Sequence, residues 1–422
     1  MKLENPILND PAALAQRTFF WEKIRSLFTG LIEIIWQPGA SVALLVAIRY
    51  YGVDSELKSL ISASNPIGFL VTPMSLSLFA ALKRPINEVM GVLFIVAGLC
   101  LFAITVVDNA FWFVVGSVLA SVVMAQYVPM YTEMYSRNFT TTLRGNRIST
   151  VFIIGGAVSI VANLIVGELL DYRLEMYKVV MAVGAISCWF SAFCLMRIPS
   201  EPLNASEVGM PWKSLSLAWK DKLFGWLLSS WMLLGFGNLM TLPLRTEYMA
   251  NPRFGVDASN QMILFITGAV PLLCRLASSR ILGKLFDRWN LVNLRIMLNV
   301  MFLFSVMAFF STKNLWVMGL SMALLGTAMA GGRIAWSLWV TKLAPPGQTS
   351  AYMTVHMFTT GLRGTLGPFV GFALIENYSA MQVSGLGSLL IIISTLMFIP
   401  ARTHMDLRGR ELDAMALDPR RS

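Results

Sequence analysis

Long apolar runs separated by short polar breaks are the dominant pattern along this chain. Most runs hold close to 20 residues and end at a charge, a proline or a glycine, and about 20 apolar residues are what an α-helix needs to cross a bilayer. The pattern predicts about twelve membrane-spanning helices. The predicted spans are residues 27–50, 59–82, 89–107, 111–135, 148–170, 178–196, 223–244, 260–285, 295–311, 315–341, 350–375 and 382–400.

The spans fall into two groups of six, which predicts an all-α membrane protein with two six-helix bundles. The longest polar connection between spans separates the two groups, and its segment around Trp212 and Trp219 is typical of a helix lying in the membrane interface. The segment before the first span is a second candidate for such an interfacial helix. The predicted domains are a cytoplasmic N-terminal segment (1–26), the first bundle (27–196), a cytoplasmic linker (197–222), the second bundle (223–400) and a cytoplasmic tail (401–422).

Composition supports this fold class. Hydrophobic residues make up 56% of the 422 residues and charged residues only 13%, about half the charged share of a typical soluble domain. A chain this poor in charge is not a soluble enzyme, a disordered protein or a disulfide scaffold. The four cysteines all lie inside apolar runs without metal-binding or redox spacing, which favours buried, inert thiols.

The net charge of +10 is a topology signal rather than a nucleic-acid signal. Lysine and arginine sit in small groups between spans, and on the predicted topology 23 of the 33 lie on one side of the membrane and 7 on the other. Positively charged loops stay on the cytoplasmic side. We therefore expect both termini in the cytoplasm, no nucleic-acid partner, and an integral protein of a bacterial inner membrane.

Two groups of residues resemble motifs of the major facilitator superfamily. In the turn after the eighth span, Gly283 is followed four residues later by Asp287 and Arg288, as in the cytoplasmic loop motif of that superfamily. The fifth and eleventh spans each open on a basic or Pro-Gly entry and continue through small residues that permit close packing. The matching turn of the first half keeps the basic pair at 83–84 but lacks the glycine and the aspartate.

The resemblance implies a secondary transporter whose two bundles rock around a central solute site. It implies that helices one, four, seven and ten line the cavity, which places Glu33 and Arg333 on its wall with Arg275 and Arg363 within reach. It also points to a cytoplasmic gate formed by Gly283, Asp287, Arg288 and Arg144. Glu133 is a further gate candidate because it lies near the end of the fourth span.

Ionisable residues inside the predicted spans require a functional or structural explanation, because inserting each of them into the membrane costs about 2.5–3.5 kcal/mol. Deep inside the predicted spans lie three arginines, at positions 275, 333 and 363, and one glutamate, Glu33. This excess of positive charge favours an anionic organic solute whose carboxylate or phosphate binds arginine. Internal ion pairs are the structural alternative. The candidate substrate-binding residues are Arg333, Arg275, Arg363, Trp36, Gln37, Trp336 and Asn238.

Coupling to protons is a further hypothesis, with Glu33 and His356 as the candidate proton-binding residues. The chain has no phosphate-binding loop and no cluster of side chains with catalytic or metal-ligand spacing. We therefore expect neither an enzyme nor a cofactor, and symport or antiport driven by a gradient.

Two other functions stay open at the level of sequence. Abundant Met, Phe and Trp residues also suit an exporter of amphiphilic or drug-like compounds, because such side chains repack around varied ligands. A non-transporting assembly or sensor protein of the same fold is the alternative from another class. The expected partners are a small-molecule solute, membrane lipid and, under the coupling hypothesis, protons, and the expected oligomeric state is a monomer.

Overall fold

The computed structural model describes residues 10–37, 41–203, 214–345 and 348–416, and this part of the chain is helical without a β-strand. Short helical turns at Leu174–Met176, Pro252–Phe254 and Trp339–Lys342 join some of the helices. The helices are α1 (Pro11–Trp36), α2 (Val42–Arg49), α3 (Ser55–Ala81), α4 (Ile86–Val106), α5 (Ala110–Ala125), α6 (Tyr127–Asn138), α7 (Thr141–Tyr172), α8 (Tyr177–Met196), α9 (Leu217–Lys220), α10 (Lys222–Thr241), α11 (Leu244–Ala250), α12 (Asn260–Leu264), α13 (Val270–Arg288), α14 (Leu291–Phe310), α15 (Leu315–Leu338), α16 (Thr349–Asn377) and α17 (Ala380–Ala416).

The first helix begins earlier than the predicted span. Asp10 caps it by accepting hydrogen bonds from the backbone N–H groups of Ala12 and Ala13, and Pro11 occupies the first helical position, both of which favour a helix start. From there α1 runs unbroken to Trp36, so a boundary at residue 27 falls inside it. Pro38 and Gly39, a pair that favours a kink in a helix, lie outside the described residues.

Nine helices or helix pairs of the described residues are long and apolar enough to cross a membrane. The other three predicted spans coincide with α1 and α2 together, with α3 and with α16. These are the more polar elements: α3 contains Lys58, and α16 contains His356 and Arg363. Charged and polar side chains lower the mean hydropathy of a helix even where it is buried by its neighbours.

The described residues cluster into two compact units. Unit 1 lies within Met1–Val208 and Thr246–Ala269, and unit 2 within Gly209–Arg245 and Val270–Ser422. In unit 1, α1 packs on α7 and α8, α3 on α5, and α4 on α5 and α8. In unit 2, α10 packs on α16 and α17, and α15 on α13 and α14.

The predicted interfacial helix of the linker is described only in its last part. Trp212 lies outside the described residues, whereas Trp219 belongs to the four-residue α9 and has 77% of its surface exposed. The last described helix of unit 2, α17, continues without a break past residue 401 to Ala416.

Candidate functional site

A cluster of cationic and aromatic side chains is buried in the interior of unit 2. The Cζ atom of Arg295 lies 4.0 Å from the ring centroid of Trp231, and Nη1 of Arg363 donates to the backbone oxygen of the same tryptophan. Only 2% of Arg295 and 5% of Arg363 is exposed. We call this group, completed by His356, Trp336 and Trp339, the arginine–tryptophan cluster.

His356 occupies the aromatic side of the cluster. Its ring centroid lies 5.5 Å from that of Trp231, 5.2 Å from Trp336 and 5.2 Å from Trp339. The side chain is fully buried, and neither ring nitrogen has a hydrogen-bond partner. Nε of Arg295 and Nε of Arg363 are also buried without a partner. Buried polar atoms are normally satisfied, so the cluster has capacity for an additional acceptor.

Helix geometry explains how the cluster forms. His356 and Arg363 are seven positions apart on α16 and therefore share one face of that helix. A Cβ atom at Gly235 of α10 would lie 2.3 Å from Nε of Arg363, so only glycine leaves room for the guanidinium there. Thr360 connects the two sides of the cluster, because its hydroxyl accepts from Nε1 of Trp336 and from Nη2 of Arg363, both at 3.2 Å.

No carboxylate among the described residues forms an ion pair with either arginine of the cluster. Asp221 and Asp287 lie at helix ends, and Glu376 lies in the last turn of α16. The interiors of α13, α14, α15 and α16 thus hold arginines without acidic residues. Because arginine stays protonated in proteins, the cluster carries uncompensated positive charge. A carboxylate or phosphate would complement it in charge and in hydrogen bonding.

The other residues predicted in the second half take part in none of the cluster contacts described above. Arg333 is exposed on α15, and Arg275 is half-buried on α13. Asn238 on α10 is half-buried, with its amide oxygen buried and without a hydrogen-bond partner. Of the predicted substrate-binding residues, the structure thus brings together Arg363 and Trp336, with the predicted proton site His356 beside them.

The three predicted residues of the first span have different surroundings. Nε1 of Trp36 donates to the backbone oxygen of Ser117 at 3.2 Å. The amide of Gln37 is buried, where it donates to the backbone oxygen of Gly268 at 3.4 Å and accepts from Asn163 at 3.5 Å. Glu33, four positions before Gln37, is exposed instead, so these two side chains have surroundings of different polarity.

The predicted gate residues belong to two separate sets. In unit 1, Glu133 pairs with Arg137 at 2.6 Å within α6, and Nη2 of Arg144 donates to the backbone oxygens of Ser136 and Phe139.

In unit 2, Gly283 on α13 is half-buried, and a Cβ atom there would approach only Ile334, at 3.8 Å. Asp287 and Arg288 are exposed at the end of the same helix. Among the described residues of unit 2, no backbone therefore approaches Gly283 closely.

Several buried charges were missed by the sequence reasoning. Glu22 is fully buried on α1, pairs with Arg25 at 2.6 Å and accepts the hydroxyl of Tyr135. Lys58 pairs with Glu247 at 3.0 Å in unit 1.

In unit 2, Arg245 is fully buried, and its guanidinium contacts the hydroxyl of Ser305 and the ring of Phe309. These charges and Arg295 all stand at or just outside the predicted span ends. For Lys58 and Arg295, the capping residues Asp54 and Asn290 are a usable signal, because they start α3 and α14 before those charges.

Comparison with known proteins identifies the family. A model described as Major Facilitator Superfamily matches residues 27–368. No curated protein matches the sequence. The fold is similar to the crystal structures of the nucleoside transporter NupG (TM-score 0.73, 15% identity, 91% of this chain and 98% of that chain), a D-xylose-proton symporter (0.65, 13%, 91% and 96%) and the human organic anion transporter MFSD10 (0.60, 14%, 91% and 99%). The chain belongs to the major facilitator superfamily and is an integral membrane protein with the fold of its secondary transporters.

Proposed function

We propose that this protein is a secondary active transporter that moves a small organic anion across the membrane by alternating access. The observation that carries the proposal is the arginine–tryptophan cluster, in which Arg295 and Arg363 are buried without a carboxylate partner among the residues that the structure describes. Isolated buried charge is unfavourable unless something compensates it. A transported anion compensates it during each cycle and is released again.

The solute that fits best carries a carboxylate or phosphate next to a flat or apolar body. Arginine binds such groups through parallel N–H donors, and the indole of Trp231 already stacks on one guanidinium. The structural neighbours include transporters of nucleosides, of D-xylose with protons and of organic anions. They support transport of a small polar solute but do not discriminate among these classes, so the choice of an anion rests on the cluster.

The remaining candidate residues keep their proposed roles within their own units. In unit 2, Arg333 and Arg275 would provide further positive charge, and Trp336 and Asn238 further contacts with the solute. In unit 1, Trp36 and Gln37 remain candidate substrate-binding residues, and the gate residues of each unit are candidates for a reversible cytoplasmic closure. Both termini would then be cytoplasmic, in a bacterial inner membrane, with one chain as the working unit. Import and export are both compatible with this arrangement.

Proton coupling is the second part of the proposal. Glu33 is an exposed carboxylate of α1, and His356 has two unsatisfied ring nitrogens within the cluster. If Glu33 carries the coupling proton, Glu33→Gln abolishes accumulation driven by a proton gradient and spares exchange of solute between equal compartments. Accumulation that survives this substitution removes Glu33 from the mechanism. The same pair of assays applied to His356→Gln tests the histidine.

Ligand-dependent thermal stabilisation of the purified protein tests the solute class. A library of carboxylates, organic phosphates and matched neutral compounds is screened, and each stabiliser is then measured for flux in proteoliposomes. We expect an anion to stabilise the protein and to be transported. A neutral, amphiphilic stabiliser would favour an exporter of such compounds, and co-purification of one protein partner without any stabilising ligand would favour an assembly role.

Arg363→Met then tests the site itself. It should weaken anion binding by about ten- to a hundredfold, because a hydrogen bond to a charged group contributes about 1.5–3 kcal/mol. The matched control is Arg402→Met, which removes an exposed arginine from α17 of the same unit. Equal anion affinity in wild type and Arg363→Met would contradict the proposed site.

A further inference from the structure

An apolar face of α8 in unit 1 ends at an arginine. Exposed apolar side chains recur on this helix at intervals of three and four residues, and residues spaced in this way share one face. They are Val183, Ile186, Phe190 and Phe193. Arg197 follows four positions after Phe193, directly beyond the last residue of α8. The sequence of α8 thus places a cation at the end of an apolar stripe.

Helix α1 lies beside this stripe and contributes a second arginine. Trp21 of α1 meets Phe193 edge to face, with ring centroids 5.9 Å apart. One turn earlier on α1, Nε of Arg17 donates to the backbone oxygen of Arg197 at 3.0 Å. The two helices are therefore antiparallel, and both arginines lie at the same end of the α1–α8 seam.

Aromatic rings hold the guanidinium of Arg197. Its Cζ atom lies 4.6 Å from the ring centroid of Phe193 and 5.8 Å from that of Trp21. Phe20, with 52% of its surface exposed, packs against Trp21 at 5.4 Å. Contacts between a cation and a ring face fix the position of the guanidinium without using its N–H donors. These donors can therefore bind an acceptor at the level where the apolar stripe ends.

The two arginines have no counter-charge of their own in the part of the chain that the structure describes. Elsewhere on the surface of unit 1, Lys178 pairs with Asp108 at 2.8 Å. Arg17 and Arg197, by contrast, form no ion pair with a described carboxylate. Toward the described residues, Arg17 donates only from Nε, and the guanidinium of Arg197 donates no hydrogen bond.

We propose that this end of the α1–α8 seam binds an anionic phospholipid. The site, here called the seam site, consists of Arg17, Phe20, Trp21, Phe193 and Arg197. The headgroup phosphate lies between the two guanidiniums and accepts hydrogen bonds from both, because arginine donors match phosphate oxygens. One acyl chain follows the apolar stripe of α8. The proposal goes beyond transport and is independent of the solute.

The depth of the two arginines favours a lipid over a soluble anion. Helix α8 is among the helices long and apolar enough to cross a membrane, and it ends at Met196, which puts Arg197 at the level of the headgroups. Tryptophan is enriched at that level, and basic residues beside the membrane attract anionic headgroups. A soluble phosphate would meet the same guanidiniums but leave the apolar stripe unused.

The first test measures lipid binding to the full-length protein in detergent by native mass spectrometry. Dioleoyl-phosphatidylglycerol is the anionic probe, and dioleoyl-phosphatidylcholine has the same acyl chains without net charge. A basic residue near an anionic headgroup contributes about fivefold in affinity. We therefore expect the wild type to prefer the anionic lipid by about ten- to thirtyfold and the double variant Arg17→Met, Arg197→Met to lose this preference.

The matched control removes two exposed arginines from other places. Arg84 of unit 1, whose side chain is 70% exposed, and Arg402 on α17, which is also exposed, are both replaced by methionine. The control then has the same net charge as the test variant and should keep the preference for the anionic lipid. Equal preference in the wild type and in the test variant, or equal loss in the test and control variants, overturns the seam site.

Two further measurements use the wild type and do not depend on folding of a variant. Glycerol 3-phosphate, which carries the phosphate without acyl chains, should not displace phosphatidylglycerol at equal concentration. Displacement would indicate a site for soluble anions and overturn the lipid proposal. Phosphatidylglycerol with a photoactivatable acyl chain should cross-link to peptides from residues 20–27 and 183–193. Cross-links spread evenly over the apolar helices of both units would overturn it as well.

Discussion

The two units differ in how they treat buried charge. In unit 1, buried ionisable side chains meet opposite charges: Glu22 pairs with Arg25, and Lys58 pairs with Glu247. In unit 2, Arg295 and Arg363 are equally buried, but they meet an indole face, a backbone oxygen and a hydroxyl. Both units have the same all-helical construction, so the difference lies in the placement of a few side chains.

This difference indicates where a charged solute can bind. A paired charge is complete within the protein, and a solute would have to compete with the partner that is already present. An unpaired cation held by neutral groups has no such competitor, because carbonyls, hydroxyls and aromatic faces stabilise it less than an anion does. Unit 1 therefore neutralises these buried charges internally, while unit 2 offers the charge that attracts a solute.

The largest effect is expected from breaking a complete pair in unit 1. Glu22→Gln leaves Arg25 buried without a counter-charge and should destabilise the protein by about 3–5 kcal/mol, measured as a lower melting temperature in detergent. The control Glu133→Gln breaks a partly exposed pair within α6 and should change stability by less than about 1 kcal/mol. Equal losses in the two variants would show that burial of the pair is unimportant.

Replacing a buried charged side chain by a neutral one in unit 2 should not destabilise the protein. Arg295→Met removes a buried cation that no carboxylate neutralises, and an apolar chain of similar length removes the cost of desolvation. We expect a neutral or stabilising effect, in the range of about 0–4 kcal/mol, in thermal unfolding without ligand, together with loss of stabilisation by anions. A drop as large as that of Glu22→Gln would mean that unit 2 pairs its charges after all.

Overpacking at a buried glycine, unlike the loss of a buried charge, should lower the stability of the protein to a similar extent in the two units. A Cβ atom at Gly326 would lie 2.1 Å from the backbone oxygen of Pro271 in unit 2, and one at Gly68 would lie 2.4 Å from Cβ of Ala125 in unit 1. Alanine at either position should cost about 1–3 kcal/mol through overpacking. Gly319→Ala, on the same helix as Gly326 and facing open space, should be neutral in the same unfolding experiment.

The smallest effect concerns an exposed charge of unit 1. The hydrogen bond from Lys178, opposed by partial desolvation and supported by the hydroxyls of Tyr51 and Tyr50, lowers the pKa of Asp108. A lowered carboxyl pKa adds stability above its unfolded value, about 3.9, and this stability is lost as the pH falls through the folded value. The melting temperature of Asp108→Asn should therefore match that of the wild type most closely at acidic pH. A difference between the two proteins that grows on acidification would contradict this assignment.

Much of the fold could be predicted from the sequence because span length and apolar periodicity are local properties. The family resemblance carried by Gly283, Asp287 and Arg288 and the small residues of the fifth and eleventh spans is confirmed by the family match. Helix starts were predicted less well. Predicted spans ended at charges, whereas the structure starts α1 at Pro11, α3 at Ser55 and α14 at Leu291, so that buried charges lie inside the helices.

The candidate site was predictable only in part for the same reason. Arg363 and His356 lie deep in an apolar run, so their cost of burial is visible in the sequence. Arg295 stands at the predicted start of its span and looks like an ordinary flanking charge. Its burial results from packing of α14 against Trp231, a contact between residues 64 positions apart that no local pattern encodes.

By itself, the sequence determined an integral membrane protein of helical spans in two halves and its superfamily, because the hydrophobic effect acts on each run of residues separately. Tertiary structure decided which charges are paired. Whether a buried arginine meets a glutamate, as Arg25 does, or an indole, as Arg295 does, depends on which helices pack together. Electrostatic energy in a low-dielectric interior is set by distances of a few ångströms, and those distances are properties of the folded chain.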